Sequence, residues 1–578
     1  MVQKACILRN SLPGPFLTTH APSQLAVQKP ISPPLCWRRF LLALGAGWVL
    51  LMGTSGCTTP AEARAEADQQ VYAIIEKRRE ELSEFDPFTI DPATETLRQE
   101  LIDGAELEPV DLEDLLVIAA ENSREYRDER EDLFLVALTL TLQQWNFGVQ
   151  ESAGADASTS GTDNETVDQE AGAIWGWSKV FGSGLQVLGS LALRTVRLTS
   201  SASMDRSWDS FTRATLSITQ PLLRGFGAEI VLEPLIQAER NVLYAARQFE
   251  RFRSTFAFTV TQQYFDVLKQ VNKVENEEEN YRGLRALRLR NESFAEAGRL
   301  DQIQVGEAQQ DELRARNSLL VERAALATDY DDFKFLLGLP ITSNLPLDPA
   351  KYLSINTWEW LDLDPPEEFV IQTALSRRYD YMTAKDLIQD AERDVHVAAD
   401  ALRNGLGLEA GAVLQTRNDS PTTFDSSDVT WEAGLNFDLA IDKLPERNAY
   451  RASLINEARA KRATTKLHDE IVADLRQELR TLISARESYE IQKSAVALAE
   501  ERVQSTLLSL EAGRTDTREV LQSQEALLTS RNALTAAFTA YILSGLALYR
   551  DMELLRVTPE GLLVDTGPII AYMESLKS

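Results

Sequence analysis

Few residues of this 578-residue chain could carry covalent or metal chemistry. Its three cysteines, Cys6, Cys36 and Cys57, lie near the start, and its three histidines, His20, His396 and His468, are scattered. That leaves no thiolate or imidazole cluster for a metal and no His-based triad. No phosphate-cradling loop or nucleophile motif occurs either, so no enzymatic reaction, cofactor or metal is expected. The residues with a repeated spacing do conformational chemistry instead. Glu296-Ala297-Gly298-Arg299-Leu300-Asp301 recurs as Glu511-Ala512-Gly513-Arg514-Thr515-Asp516, 215 positions later. At the same offset Val305 matches Val520, Gln309 matches Gln524, Leu313 matches Leu528 and Arg316-Asn317 matches Arg531-Asn532. A repeat this long indicates two similar halves. Gly298 and Gly513 follow helical runs, where a left-handed residue is wanted and glycine is free of strain. Asp301 and Asp516 open the next helix, and Gln304 and Glu519 lie three residues on, close to a capping box. Gly-Arg-x-Asp therefore reads as a tight turn between antiparallel helices, with Asp301, Gln304 and Asp516 as caps.

The elements on either side of these turns are long. A helical pattern runs from about Glu229 to Glu296, roughly 100 Å at 1.5 Å per residue. A second helix spans Asp301 to about Leu337. The later half repeats the order, with a helix from Glu446 to Glu511 after Pro445. Leu467, Ile471, Leu475, Leu479, Leu482, Tyr489, Val496 and Val503 form a helix-packing stripe along it. Upstream of each long helix the period is two. Leu138–Leu142 alternates as a half-buried strand would. Strand-like stretches also flank the turn signal Gly182-Ser183-Gly184, and Arg213–Gln220 alternates up to Pro221. Residues 151–172, rich in Gly, Ser, Thr and Asp, read as a flexible loop, as does a Ser-rich stretch near Thr199–Met204. In the second half Gly407–Gln415 and Thr430–Leu439 alternate around a polar loop at 418–428.

The net charge is −29, and removing residues 1–56, which hold five Lys or Arg and no acid, deepens it to −34. Such a surface repels nucleic acid. Arg38-Arg39, the apolar run Phe40–Met52 and Gly53-Thr54-Ser55-Gly56 form an export signal, too short for a spanning helix of about 20 residues. Small residues directly before Cys57 resemble a bacterial lipoprotein box, with Thr54 in place of its usual Leu. That resemblance implies cleavage before Cys57 and acylation of its thiol, and Thr58 is not the Asp that favours inner-membrane retention.

Leu216-Ser217-Ile218-Thr219-Gln220-Pro221-Leu222-Leu223-Arg224-Gly225, the two Ala-Gly turns and the doubled strand–helix order together resemble the TolC-like outer-membrane efflux protein family. The likeness covers about 110–555. It implies an α+β membrane protein: a homotrimer in which each protomer gives four strands to a 12-stranded transmembrane β-barrel continuous with a long α-helical coiled-coil barrel. The first half carries four strand-like stretches before Pro221 where the resemblance leads to two. The family's role implies a passive exit duct for a tripartite efflux or type I secretion system. Its partners would be outer-membrane lipid, a periplasmic membrane-fusion adaptor and, through that adaptor, an inner-membrane pump. The resemblance makes Gln220, Pro221 and Gly225 the strand-to-helix junction. Gly298, Arg299, Leu300, Gly513, Arg514 and Thr515 become adaptor-docking tips. Glu519 and Gln522 fall where the family has two aspartates at its periplasmic constriction. Three Glu519 carboxylates there would repel one another and attract cations; capping explains Glu519 equally well.

The expected organisation is a signal segment at 1–56 and a periplasmic segment at 57–110. A first repeat at 111–339, a linker at 340–365, a second repeat at 366–555 and a tail at 556–578 complete the chain. A structural coiled-coil lipoprotein of the envelope is the alternative, but it leaves the strands and Gln220-Pro221 unexplained.

Overall fold

The structure is a computed structural model that describes residues 59–82, 89–90, 97–162, 166–199, 209–347, 363–416, 423–558 and 561–575. The export signal, Cys57, most of the 340–365 linker and most of the Ser-rich stretch near Thr199–Met204 lie outside these residues. The chain divides into two units, Met1–Glu66 and Ala67–Ser578, and the second holds the strands and the long helices.

Four helices lead in: α1 (Pro60–Leu82), α2 (Leu97–Ile102), α3 (Leu112–Asn122) and α4 (Arg124–Phe147). A reciprocal capping box starts α3, with Asp114 N–H donating to Asp111 and Asp111 N–H donating to Asp114. The expected strand at Leu138–Leu142 is the last part of α4. Its alternation is real, but Leu133, Phe134, Ala137 and Leu140 bury at helical spacing. The intervening threonines satisfy their hydroxyls on the helix itself, Thr139 on Leu135 O and Thr141 on Leu138 O.

Four strands come next: β1 (Val149–Thr162), β2 (Thr166–Val180), β3 (Gln186–Thr199) and β4 (Asp209–Pro221). The expected flexible loop at 151–172 is thus most of β1 and the start of β2, joined over fourteen paired positions from Val149↔Lys179 to Thr162↔Thr166. Its composition resembles a loop because its alternating partners are small: Ala153, Ala155 and Ala157 against Ser152, Gly154, Asp156 and Ser158. A membrane strand needs only alternation, a weak signal in any one segment.

The chain then enters a short helix α5 (Ala228–Val231), the long α6 (Glu233–Glu296) and its return α7 (Gln302–Leu336). The second half supplies α8 (Glu367–Arg377), α9 (Tyr379–Ala401), β5 (Gly405–Gln415), β6 (Val429–Asp438), α10 (Leu444–Glu511) and α11 (Thr517–Asp551). Strands β1 to β6 form one antiparallel sheet in sequence order, so this sheet holds six strands where four were expected. The segment expected as a tail forms a small hairpin, β7 (Leu555–Thr558) and β8 (Gly561–Val564), and α12 (Gly567–Ser575).

The helices bury their apolar stripes in three clusters. The largest joins α3, α4, α6 and part of α11, with Tyr126, Phe249, Phe252 and Phe256 packed ring on ring at 5.4–5.9 Å. A second gathers Phe369, Ile471, Leu475, Tyr549 and Ile569. A third, Leu284, Leu287, Ala315, Leu510, Val520 and Leu521, joins the two helical hairpins near their turns. Each such side chain withdrawn from water contributes about 1.5–3 kcal/mol. Among the described residues one helix, α11, is long and apolar enough to cross a membrane, and half of its most apolar stretch is buried in these clusters.

Candidate channel wall, junction and helical tips

The sheet has one apolar and one polar face. Residues paired across antiparallel strands share a face, and the register carries one apolar row through all six strands: Ala153↔Trp175↔Leu191↔Ala214, then Ala214↔Leu414↔Val429. Leu193, one row to one side, and Leu216, Ala412 and Trp431, one row to the other, lie on the same face, as do Leu435 and Phe437. Most of the large side chains on this face are exposed, Trp431 by 75% and Leu435 by 69%, while Ala214, Ala412 and Leu414 are half-buried. The charged residues on this face, Glu151, Lys179 and Arg197, stand at its ends. Trp177 lies across Gly189, where an added Cβ would sit 2.4 Å from the indole nitrogen, so the glycine makes room for the ring. The opposite face carries Asp156, Glu170, Arg194, Arg213, Glu409 and Glu432, with Ile174 and Leu188 among them. Glu170 and Arg194 pair there, and Arg213 donates to Gln415 at 2.9 Å.

The junction residues Gln220, Pro221 and Gly225 hold the sheet to the helices. The Gln220 amide donates to Ser183 O at 3.0 Å and to Pro221 O at 2.8 Å. Leu222 N–H continues the strand pairing onto Leu406 O at 2.7 Å. Gly225 takes φ +78° and its N–H donates to the buried Asp400 carboxylate at 2.7 Å, at the end of α9. Arg224 reaches Asp438 at 2.9 Å, at the end of β6. The turn between β2 and β3 packs into the same place. Gly184, at φ +86°, leaves room for Pro221 Cγ and Gly225 O, which an added Cβ would meet at 2.8 and 2.9 Å.

The two tips have the geometry of paired helix ends. Gly298 (φ +69°) and Gly513 (φ +68°) are left-handed. Arg299 N–H returns to Phe294 O and Arg514 N–H to Ser509 O, the six-to-one bond of a Schellman ending. Asp301 accepts from Ile303 N–H, and Asp516 accepts from Glu519 N–H at 3.1 Å. Leu300 is partly buried and Arg299 lies over the Phe294 ring. Gln304 does not reach back to its own cap. Its carbonyl accepts from Thr517 Oγ1 at 3.0 Å, across to the other tip. Thr517 Oγ1 in turn accepts from Asn291 Nδ2 at 3.0 Å, both side chains fully buried. Arg518 pairs with Glu307 at 2.8 Å beside them. Glu519 and Gln522 are exposed one turn apart on the same face of α11, and Glu519 accepts from the Thr515 hydroxyl.

Solved structures share the overall fold. The CmeC outer-membrane channel of Campylobacter jejuni superposes with a TM-score of 0.56 at 13% identity, covering 86% of this chain and 93% of that one. The open-state MtrE outer-membrane channel of Neisseria gonorrhoeae gives 0.56 at 11%, covering 82% and 97%. The outer-membrane protein VceC of Vibrio cholerae gives 0.55 at 14%, covering 76% and 95%. The chain has the outer-membrane channel fold. The resemblance read from the sequence is borne out at the level of fold. No family model and no curated protein matches the sequence.

Within the outer-membrane channel fold, the tip-to-tip contact is what sequence reasoning missed. Thr517 occupies the repeat position of the exposed Gln302, and that contrast between a small hydroxyl and a long amide was the available signal. Asp400 was missed as well, because its partner, Gly225, is 175 positions away. Above the tips, α10 and α11 bury an acidic pair. Burial, with a hydrogen bond to Asp551, pushes the Glu478 carboxyl up to about 9. Asp551 is held below the ordinary carboxylate range, against its own burial, by that bond and by Arg550.

Proposed function

We propose that this protein is the outer-membrane exit duct of a tripartite efflux or export system. Three copies close a barrel in the outer membrane, and their helices carry the duct into the periplasm. The observation that carries this reading is the continuity of the two parts. A six-stranded sheet with one apolar and one polar face runs, through the Gln220–Gly225 junction, into helices of 64 and 68 residues. Those helices are about 100 Å long. Strands with an apolar outer face span lipid only in a closed barrel, which one copy cannot close.

The tips around Gly298, Arg299 and Leu300 and around Gly513, Arg514 and Thr515 are the docking ends for a periplasmic adaptor, which couples the duct to an inner-membrane pump. Cys57 is the acylated residue that anchors the mature chain to the outer membrane. Glu519, with Gln522 one turn on, lines the periplasmic constriction and favours cations. Transport through the duct is passive, of small molecules or export cargo, and no chemical step occurs in it.

Reconstitution into planar bilayers tests this. The outer-membrane oligomer should conduct in discrete steps, and Glu519→Gln should reduce cation selectivity and ease opening. Unchanged selectivity and gating would remove Glu519 from the pore. Elongated peripheral oligomers without conductance would replace the duct by a structural envelope lipoprotein.

A further inference from the structure

The first half supplies four strands to the six-stranded sheet and the second half two. We infer that the additional hairpin stands in the membrane wall, so that a trimer closes an 18-stranded barrel, six strands from each of three copies. This rests on the trimeric duct reading.

Four observations carry it. The register is unbroken: β2 and β3 pair over fourteen positions from Val167↔Thr199 to Val180↔Gln186, as fully as β1 and β2 do. Folding the first hairpin away from the wall would open one of these ladders, and hydrocarbon offers no substitute partner for the freed backbone groups. The apolar face also continues onto the hairpin. Ala153, Ala155 and Ala157 of β1 stand opposite Trp175, Ala173 and Ala171 of β2, level with Leu191 and Leu193 of β3. The first four strands have 14, 15, 14 and 13 residues, above the 9–11 or so that a tilted strand needs to span. Finally, both lower ends of the hairpin are fixed. β1 leaves α4 through the single residue Gly148, whose N–H caps on Trp145 O at 2.9 Å. The β2–β3 turn is pinned by Gln220 and fits against Pro221 and Gly225 through Gly184.

The edges agree. β1 and β6 end the sheet order, and in an even-numbered antiparallel sheet they run in opposite directions. β1 of one copy therefore meets β6 of the next antiparallel, and the ring closes. With strands about 4.8 Å apart and tilted by about 40°, twelve strands give a backbone diameter near 24 Å and eighteen near 36 Å. The polar face, with Asp156 and Glu170 contributed by the additional pair, lines this wider mouth. The mouth admits a hydrated cargo too broad for a twelve-stranded exit.

Site-directed spin labelling of the full-length oligomer in lipid tests the inference. The chain has no cysteine after Cys57, so one introduced cysteine reports one position, with the unsubstituted protein as blank. Labels at Ala155→Cys and Ala157→Cys should be several-fold more accessible to dissolved oxygen than to a water-soluble nickel chelate. Labels at Gly154→Cys, Asp156→Cys and Ser158→Cys should show the reverse. Leu435→Cys and Glu432→Cys on β6 serve as the control pair. If β6 alternates and β1 is water-accessible on both faces, the additional hairpin lies outside the wall and the inference is overturned while the duct stands. If β6 does not alternate, the membrane-barrel reading itself fails.

Discussion

The two halves of the chain agree at their helices and differ at their sheet. Helices α6 and α7 have 64 and 35 residues, and α10 and α11 have 68 and 35. The ends match position for position: Gly298 with Gly513 at the tips, and Gly338 with Glu553 after the return helices, all left-handed. Yet the first half has two strands more. The difference comes from what each kind of element contacts. A helix in a bundle is packed along its whole length, so an insertion shifts every later contact. A sheet heading for closure is extended at its edge by whole hairpins, each bringing its own hydrogen bonds and its own pair of faces.

Gly338 and Glu553 occupy equivalent places and give the largest expected contrast. Each donates its N–H three residues back, and the next N–H returns to Lys334 O or Tyr549 O at 2.9 Å. An added Cβ at Gly338 would lie 2.1 Å from Asn122 O, where α3 ends against α7. Gly338→Ala combines left-handed strain with overpacking against backbone and should cost about 4 kcal/mol, read as a fall in the thermal midpoint. Glu553 is the one non-glycine with positive φ among the described residues, and its carboxylate holds Arg251 at 2.8 Å. Glu553→Gly relieves about 1 kcal/mol of strain and removes a charged hydrogen bond of about 2 kcal/mol, a net loss of roughly 1 kcal/mol by the same assay. Equal effects at the two positions would mean that the Asn122 contact does not govern the first.

The next contrast titrates. In the repeat register Glu478 stands where the first half has Gln263. Because its folded pKa is raised from 4.5 to about 9, the stability tied to its protonated form is full below about 4.5 and is lost as pH rises towards 9. The slope is at most about 1.4 kcal/mol per pH unit. Thermal midpoints should therefore fall between pH 5 and 9, and Glu478→Gln, which installs the first half's residue, should flatten that fall. Below about pH 4 the depressed Asp551 adds a loss of the opposite sign, which the substitution leaves in place. A parallel pH profile for both proteins would show that the buried carboxyl does not ionise in this window.

Smaller again is the tip contact. Thr517→Val removes the hydroxyl shared by Asn291 and Gln304 and leaves a buried amide short of a partner, at about 2 kcal/mol. Gln302→Val at the equivalent exposed position should change stability by less than about 0.5 kcal/mol. Hydrogen exchange at the two tips separates these outcomes: the first should loosen both tips together, the second neither.

The range of each interaction decides how much of this was legible. Gly298, Gly513, Asp301 and Asp516 were readable because a helix end is decided within six residues. The stripe Leu467–Leu482 was readable because its period repeats, and Ile471 and Leu475 are indeed buried. The strand at Ala153–Ala157 was not, since its apolar side is alanine and its meaning comes from Trp175 and Leu191 on other strands. Leu138–Leu142 misled for the converse reason: a local period of two was overruled by burial of α4 at Leu133, Ala137 and Leu140. Gln304 was rightly placed in the first turn of α7 but given a local partner. Its actual partner is 213 residues away, and no spacing rule reaches that far.

The smallest expected effect tests the tips as a matched pair. An added Cβ meets nothing within 4 Å at either Gly298 or Gly513, so alanine there is opposed only by the left-handed backbone, about 1 kcal/mol each. Gly298→Ala and Gly513→Ala should therefore lower stability equally, in contrast to Gly338→Ala, where the same backbone geometry is joined by a clash. Function should follow a different order. If both tips dock one adaptor in the same way, each substitution weakens adaptor binding to a similar degree in a pull-down with purified adaptor. If the second tip also frames the pore, only Gly513→Ala, in the turn that leads directly to Thr517 and Glu519, should alter gating in bilayers as well. Equal stability with unequal gating would mean that the tips are alike as folded turns and unlike in what they present to a pore.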